Sequence, residues 1–414
     1  MKRNILILLL MLSCVNSAAQ NNPPAEDNAT VEPEAIENGL DALMKAWHVQ
    51  QHDNKMNHEG YEAVAAASDS DYIRRLQSLP YVIPMSWNPI VRTSIERYVG
   101  QRAKLVEYML GLESLYFPMI EENLDRYGLP LELKYLAIIE SALNTTALSR
   151  AGAAGLWQFM LPTAKLYGLE INSLIDERLD PNKSTEAACR FLKDLYNIYQ
   201  DWNLAIAAYN CGAGNVNKAV RRAGGNKDFW KIYPYLPRET RAYVPYFIAA
   251  AYVMNYFAYH RLYPVEISAP AAADTIMINY PLHFDQIAAI LNINKEEIKT
   301  MNPQYKRGII PGNYKPMPLK LPVSIISEYI TREDEIKRWH AASLLPKTVN
   351  LTNPALNKPL KITHKVKSGE TLIKIGNHYG VSASSIRKWN RLGRSVICVP
   401  AGRKLILYVD NAGF

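Results

Sequence analysis

The chemistry in this chain gathers around one carboxylate. In "PLELKYLAIIESAL", Leu133, Leu136, Ala137 and Glu140 stand three, four and seven residues apart, so a helix places them on one face. A carboxylate facing the core loses hydration and its pKa rises, which lets it hold a proton near neutral pH and act as a general acid. The plainer alternative is a structural glutamate paired with a cation such as Arg150. Three further stretches could surround a ligand. Gly152, Ala153, Ala154 and Gly155 carry no bulk and leave room for a sugar ring or a backbone; Gln158 then offers both donor and acceptor, beside the apolar Trp157, Phe159 and Met160. "AAYNCGAGNV" brings Tyr209 and Asn210 to a helix end beside the permissive Gly212-Ala213-Gly214 turn, and "LPRETRAYVPY" supplies Glu239 and Tyr243. No cysteine or histidine spacing matches a metal site, so no metal and no cofactor is expected.

The elements that must hold these residues are helices. From about Asp71 to Tyr263 the apolar positions recur at three and four, Pro130 stands at a helix start, Ser184 caps another, and strand-like alternation is nearly absent. Beyond Tyr263 the pattern changes. "FDQIAAILNINKEEIKTMNPQ" aligns without a gap on the sequence 88 residues later: Phe284 on Leu372, Ile287 on Ile375, Ile298 on Ile386, Met301 on Trp389 and Asn302 on Asn390. Each copy reads strand-helix-helix-strand. The expected fold class is mainly α: a helical domain over residues 76–263, then two small α+β (βααβ) modules over 274–322 and 361–410, with linkers at 20–75 and 323–360.

"MKRNILILLLMLSCVNSAAQ" begins basic, continues with an apolar run too short to span a bilayer, and reaches Ser17-Ala18-Ala19, so residues 1–19 read as a secretory signal peptide. Met11-Leu12-Ser13-Cys14 gives a second reading, a lipobox with Cys14 as the lipidated residue. Both place the protein outside the cytoplasm: in the periplasm, or on the outer membrane as a lipoprotein facing it. Cys189, Cys211 and Cys398 remain, an odd number that does not make a disulfide framework; a Cys189–Cys211 bridge is one option and buried free thiols are the other. The net charge is +8, and from residue 261 onward 22 Lys and Arg face 11 Asp and Glu. An anionic partner suits that half, and outside the cytoplasm a wall polymer or a membrane surface fits better than nucleic acid.

Together and in this order, Glu140-Ser141, "GAAGLWQFM", "AYNCGAG" and "ETRAYV" resemble the soluble-lytic-transglycosylase-like enzymes, which cleave bacterial peptidoglycan on a lysozyme-like helical fold. "VKSGETLIKIGNHYGVSASSIRKWN" resembles LysM, a module that binds N-acetylglucosamine-containing glycans. The resemblance implies that Glu140 is the catalytic acid and base, and that the muramoyl C6 hydroxyl displaces the leaving sugar to give a 1,6-anhydro end. The substrate's own N-acetyl group would stabilise the cationic intermediate, so one carboxylate suffices. The resemblance further implies that Ser149, Gln158, Met160, Tyr209, Asn210, Glu239 and Tyr243 contact or shape the substrate site. Gly369, Glu370, Thr371 and Asn390 would serve glycan binding in the second module. The expected partner is the peptidoglycan glycan strand, met by a monomer. The first module lacks the Gly-Glu-Thr of the second and is expected to dock on the catalytic domain rather than bind sugar.

Two other functions fit the same residues. A muramidase would cleave the same bond with water and needs a second carboxylate, for which Asp176, Glu177 and Asp180 are candidates by position. A non-catalytic wall-binding protein would not need Glu140.

Overall fold

The computed structural model describes residues 67–267, 272–345, 360–367, 370–372, 375, 383–393 and 396–409. The signal-peptide and lipobox readings, and Gly369, lie outside these. The described residues form two compact units, one drawn from Met1–Phe159 and Pro181–Ala269 and the other from Met160–Asp180 and Pro270–Phe414.

The first unit is helical. Its helices are α1 (Asp69–Gln77), α2 (Pro89–Val99), α3 (Ala103–Arg126) and α4 (Tyr135–Ser141), then, beyond the excursion into the other unit, α6 (Pro181–Tyr199), α7 (Trp202–Cys211), α8 (Ala213–Arg222), α9 (Phe229–Ile232) and α10 (Arg238–Tyr256). α10 forms the core: every residue from Ala242 to Met254 is buried. The unit begins earlier than residue 76. Ser68 and Asp71 form a capping box on α1, and α1 buries Tyr72 and Leu76. The chain after α1 is pinned where the Ile83 N–H donates to buried Glu132 at 2.7 Å.

The second unit contains α5 (Leu161–Leu166) and the two repeats. In the first, β1 (Ala273–Ile278) pairs antiparallel with β4 (Met317–Pro322), and β2 (Pro281–His283) with β3 (Ile309–Pro311), around α11 (Phe284–Leu291) and α12 (Lys295–Met301). In the second, β5 (Leu360–Lys365) pairs with β6 (Lys404–Val409). The 88-residue shift is a shared core: Phe284 and Leu372, Ile287 and Ile375, and Ile298 and Ile386 are all buried. Asn302 and Asn390 are bonded alike. Asn302 accepts from the Lys320 N–H and donates to its carbonyl, and Asn390 does the same with Ile406, so each asparagine ties its helix to the closing strand.

Two expected boundaries change. Residues 323–344 are not a linker: α13 (Val323–Arg338) buries Tyr329 and Ile336 in the first module's core, and the Gln286 side chain donates to the carbonyls of Ile336, Lys337 and Trp339. The run "TREDEIKR" hides this, because its charges outnumber the few apolar residues that touch the core. The helical domain is also not self-contained over 76–263. Met160–Asp180 belongs to the second unit, and Leu174 and Ile175 are buried in the first module's core.

A chain ended after Pro264 is therefore expected to bare Leu174 and Ile175, costing about 3 kcal/mol or more. Its melting temperature should fall and it should bind a hydrophobic dye, whereas a chain ended after Leu345 should do neither. Equal melting temperatures for the two truncations would show that the module does not support the segment.

Candidate active site

α4 is short and buried on every side: Tyr135, Leu136, Ala137, Ile138, Ile139 and Ser141 are all covered, and Glu140 alone keeps some surface. The face read from the sequence is there, with Leu133, Leu136 and Ala137 fully buried. The helix stops abruptly. Ala142 and Leu143 both take left-handed conformations, with φ of 50° and 63°, which non-glycine residues adopt at a cost. The Ala142 and Leu143 N–H groups turn back onto the Ile138 and Ala137 carbonyls. Ser141 donates to the Leu156 carbonyl at 2.9 Å, fastening the end of α4 to the block that follows.

Glu140 makes no ion pair with Arg150, which is exposed. Its partner is Tyr243, fully buried on α10, whose hydroxyl donates to Oε1 in a short hydrogen bond. Loss of hydration dominates the titration and lifts the Glu140 pKa to about 8; the Tyr243 hydrogen bond pulls it down and the Glu239 charge adds to the rise. Tyr209 is pushed upward by burial and then by the negative charge of Glu140, so two phenols flank the carboxylate. The Tyr209 hydroxyl donates to the Trp157 carbonyl at 2.8 Å, and the buried Trp157 indole donates to Thr185.

Several residues that the sequence assigns to the substrate site also bond to the surrounding frame. Ser149 accepts from the Ala153 N–H at 3.0 Å and closes the small turn. Gln158 has a left-handed φ of 46°, and its amide donates to the Ala147 and Gly155 carbonyls. Asn210 accepts from Thr240 at 2.8 Å and so joins the end of α7 to the start of α10. Glu239 is exposed in the first turn of α10. Met160 is exposed at the start of α5. Gly152 sits at a φ of 86° with open space where a Cβ would point, so its left-handed turn requires glycine while the space above it stays free. Cys189 and Cys211 are free thiols.

In the second module, Glu370 accepts from the Lys367 N–H and pairs with His364 at 2.8 Å, and these contacts hold its pKa below the ordinary value. Thr371 bridges to Cys398. Asn390 is committed to Ile406, so the Glu370 and Asn390 side chains are both bonded within the module.

Residues 118–232 match the family model for the transglycosylase SLT domain. The chain carries an SLT domain. Residues 272–338 match the LysM-like domain of lytic transglycosylase MltD, and 364–407 match the LysM domain. The chain is homologous to membrane-bound lytic murein transglycosylase D of Escherichia coli K12, with 31% identity over 311 residues, 74% of this chain and 66% of that protein. It thus spans slightly less than two thirds of that relative's length. Membrane-bound lytic murein transglycosylase F of Shewanella loihica is 32% identical over 34% of this chain and 31% of its own. Among solved structures, the 70 kDa soluble lytic transglycosylase of Escherichia coli aligns with 55% of this chain and 43% of its own, at 18% identity and a TM-score of 0.32. Within this SLT domain, sequence reasoning missed the roles of Ser141 and of the Ala142-Leu143 turn; its only available signal was the Glu-Ser pair.

The raised pKa has a consequence for stability. The unfolded chain titrates Glu140 near the ordinary 4.5 and the folded protein near 8. In that window the native state binds more protons than the unfolded state, so this group's contribution to stability declines as pH rises and levels off once both states are ionised. Glu140→Gln removes the effect. Its melting temperature relative to the parent should climb steadily from about pH 5 to about pH 8. A difference that stays flat with pH would contradict a desolvated Glu140.

Proposed function

We propose that the protein is a peptidoglycan lytic transglycosylase that cleaves the β-1,4 bond between N-acetylmuramic acid and N-acetylglucosamine, leaving 1,6-anhydromuramoyl ends. The observation that carries this reading is Glu140: a desolvated carboxyl group, bonded to Tyr243, at the only surfaced position of a buried helix in an SLT domain. Burial keeps the proton on the resting carboxyl group at neutral pH. Tyr243 occupies Oε1, so Oε2 delivers that proton to the bridging oxygen as the C1–O bond breaks and N-acetylglucosamine leaves with its hydroxyl restored. The phenol then stabilises the carboxylate produced. Glu140 next takes the proton of the C6 hydroxyl as that oxygen bonds to C1. The proton returns to Glu140 and no water is consumed.

Tyr209, Gln158, Ser149, Met160 and Glu239 are the residues we assign to contacting or shaping the glycan site, with Asn210 setting the angle of α7 against α10. The second module serves wall binding, and the protein works on the periplasmic wall. The hydrolytic alternative now rests on Glu239. It is the carboxylate whose charge reaches Glu140, whereas Asp176 is paired with Arg178 at 2.8 Å and Glu177 accepts from the Glu170 N–H. Mass analysis of digested sacculi separates the readings: anhydro ends for the transglycosylase, reducing ends for a muramidase.

Glu140→Gln keeps the size of the side chain and the hydrogen bond from Tyr243 but cannot carry a proton. Release of anhydromuropeptides should fall about 100-fold or more, the usual worth of general acid–base catalysis. A variant that keeps more than about a tenth of the parental rate would remove Glu140 from this role.

A further inference from the structure

The first module holds on to a piece of the SLT domain. Within the second unit, Ile175 bridges antiparallel to Tyr305, the Asp176 N–H donates to the Gln304 carbonyl at 2.9 Å, and the Lys306 N–H donates to the Leu174 carbonyl at 2.7 Å. The Lys306 ammonium donates to the Asn172 carbonyl at 2.8 Å and lies 3.8 Å from Asp176, which is itself paired with Arg178. Lys315 pairs with Glu170 at 2.6 Å. Asn172 shapes the segment from within, accepting from the Leu174 and Ile175 N–H groups. Beneath the polar contacts, Leu174 and Ile175 complete the module's apolar core.

Part of this grip is particular to the first repeat, although Lys306 stands where the second copy has Arg394. Under the 88-residue shift, Gln304 and Tyr305 stand where the second copy has Leu392 and Gly393. They lie in the loop that follows the second helix. In the first copy, backbone and side chains of that loop are taken up by the chain's own segment. The segment is joined at one end to Phe159, directly after Gln158, and at the other to α6.

We propose that the first LysM-like module is an intramolecular clamp, with Lys306 as a positioning residue that fixes segment 160–180 and thereby sets how the SLT domain engages its glycan. The proposal rests on the transglycosylase reading. The module then acts on substrate engagement at the cleft, while adhesion to the wall falls to the second module. The clamp is built from other residues than the Glu140–Tyr243 pair, so loosening it weakens glycan binding and spares the chemical step.

The test uses the full-length protein, soluble murein oligomers and purified sacculi. Lys306→Met should lose at least about tenfold of the hydrogen-exchange protection at the Asp176 amide. It should raise KM about fivefold or more while kcat stays within about twofold, the pattern of lost uniform binding. Lys306→Arg, which can still reach Asn172 and Asp176, should stay within about twofold of the parental KM. Lys315→Ser breaks an exposed contact at the same junction and leaves the core untouched, so it decides the matter if Lys306→Met does not fold; it should raise KM by about twofold or more. Retention on sacculi should be unchanged in all three. Parental KM in both Lys306→Met and Lys315→Ser overturns the clamp, as does a fall in kcat at constant KM or a loss of sacculus retention. If the parental protein releases no anhydro ends, it is the transglycosylase reading that fails.

Discussion

The hydrogen bond from Tyr243 to a dehydrated Glu140 is the contact on which the rest of the first unit depends. A carboxyl group in water ionises well below neutrality and is useless as an acid. Here burial lifts the pKa to about 8, and Tyr243 supplies a donor for the carboxylate when the proton leaves. The two effects oppose each other, which leaves the group able to hold or release a proton near neutral pH. Such a balance needs a rigid frame. α4 is enclosed on all sides, ended by two left-handed residues, tied by Ser141 to Leu156, and faced by a helix whose middle is buried throughout. Strain at Ala142 and Leu143 is tolerated because the packing around them fixes the turn.

The C-terminal repeats show how one core can serve two ends. Matched apolar positions and the asparagine that ties helix to strand persist in both copies. The loops, which do not set the core, have diverged. In the first copy the loop binds a neighbouring stretch of chain through Gln304, Tyr305 and Lys306, and an added helix, α13, covers the module's core. In the second copy, Glu370 pairs with His364, and Asn390 bonds to Ile406 on the closing strand.

Much of this could be read from the residues. Periodicity gave the helical class, the 88-residue repeat gave both modules, and the spacing of Leu133, Leu136, Ala137 and Glu140 pointed to the buried carboxylate. What could not be read was long-range. Nothing local in Leu174 and Ile175, two apolar residues in a polar loop, says that their partners lie more than 100 residues on. Motif order carries no geometry, so the hydrogen bond from the Tyr243 hydroxyl to Glu140 was not legible in the sequence. The bonds of Ser149, Gln158 and Asn210 were hidden for a further reason: a polar side chain can face a ligand or brace a loop, and only the fold shows which of its donors and acceptors are already bonded.

The most direct test is to follow the Glu140 side-chain carboxyl carbon by NMR across the pH range, in the parent and in Tyr243→Phe. A midpoint near 8 in the parent, moving higher when the phenol is lost, is the expected result. A parental midpoint near the ordinary 4.5 would mean that Glu140 is hydrated and ionised at rest, and would contradict the account at its centre.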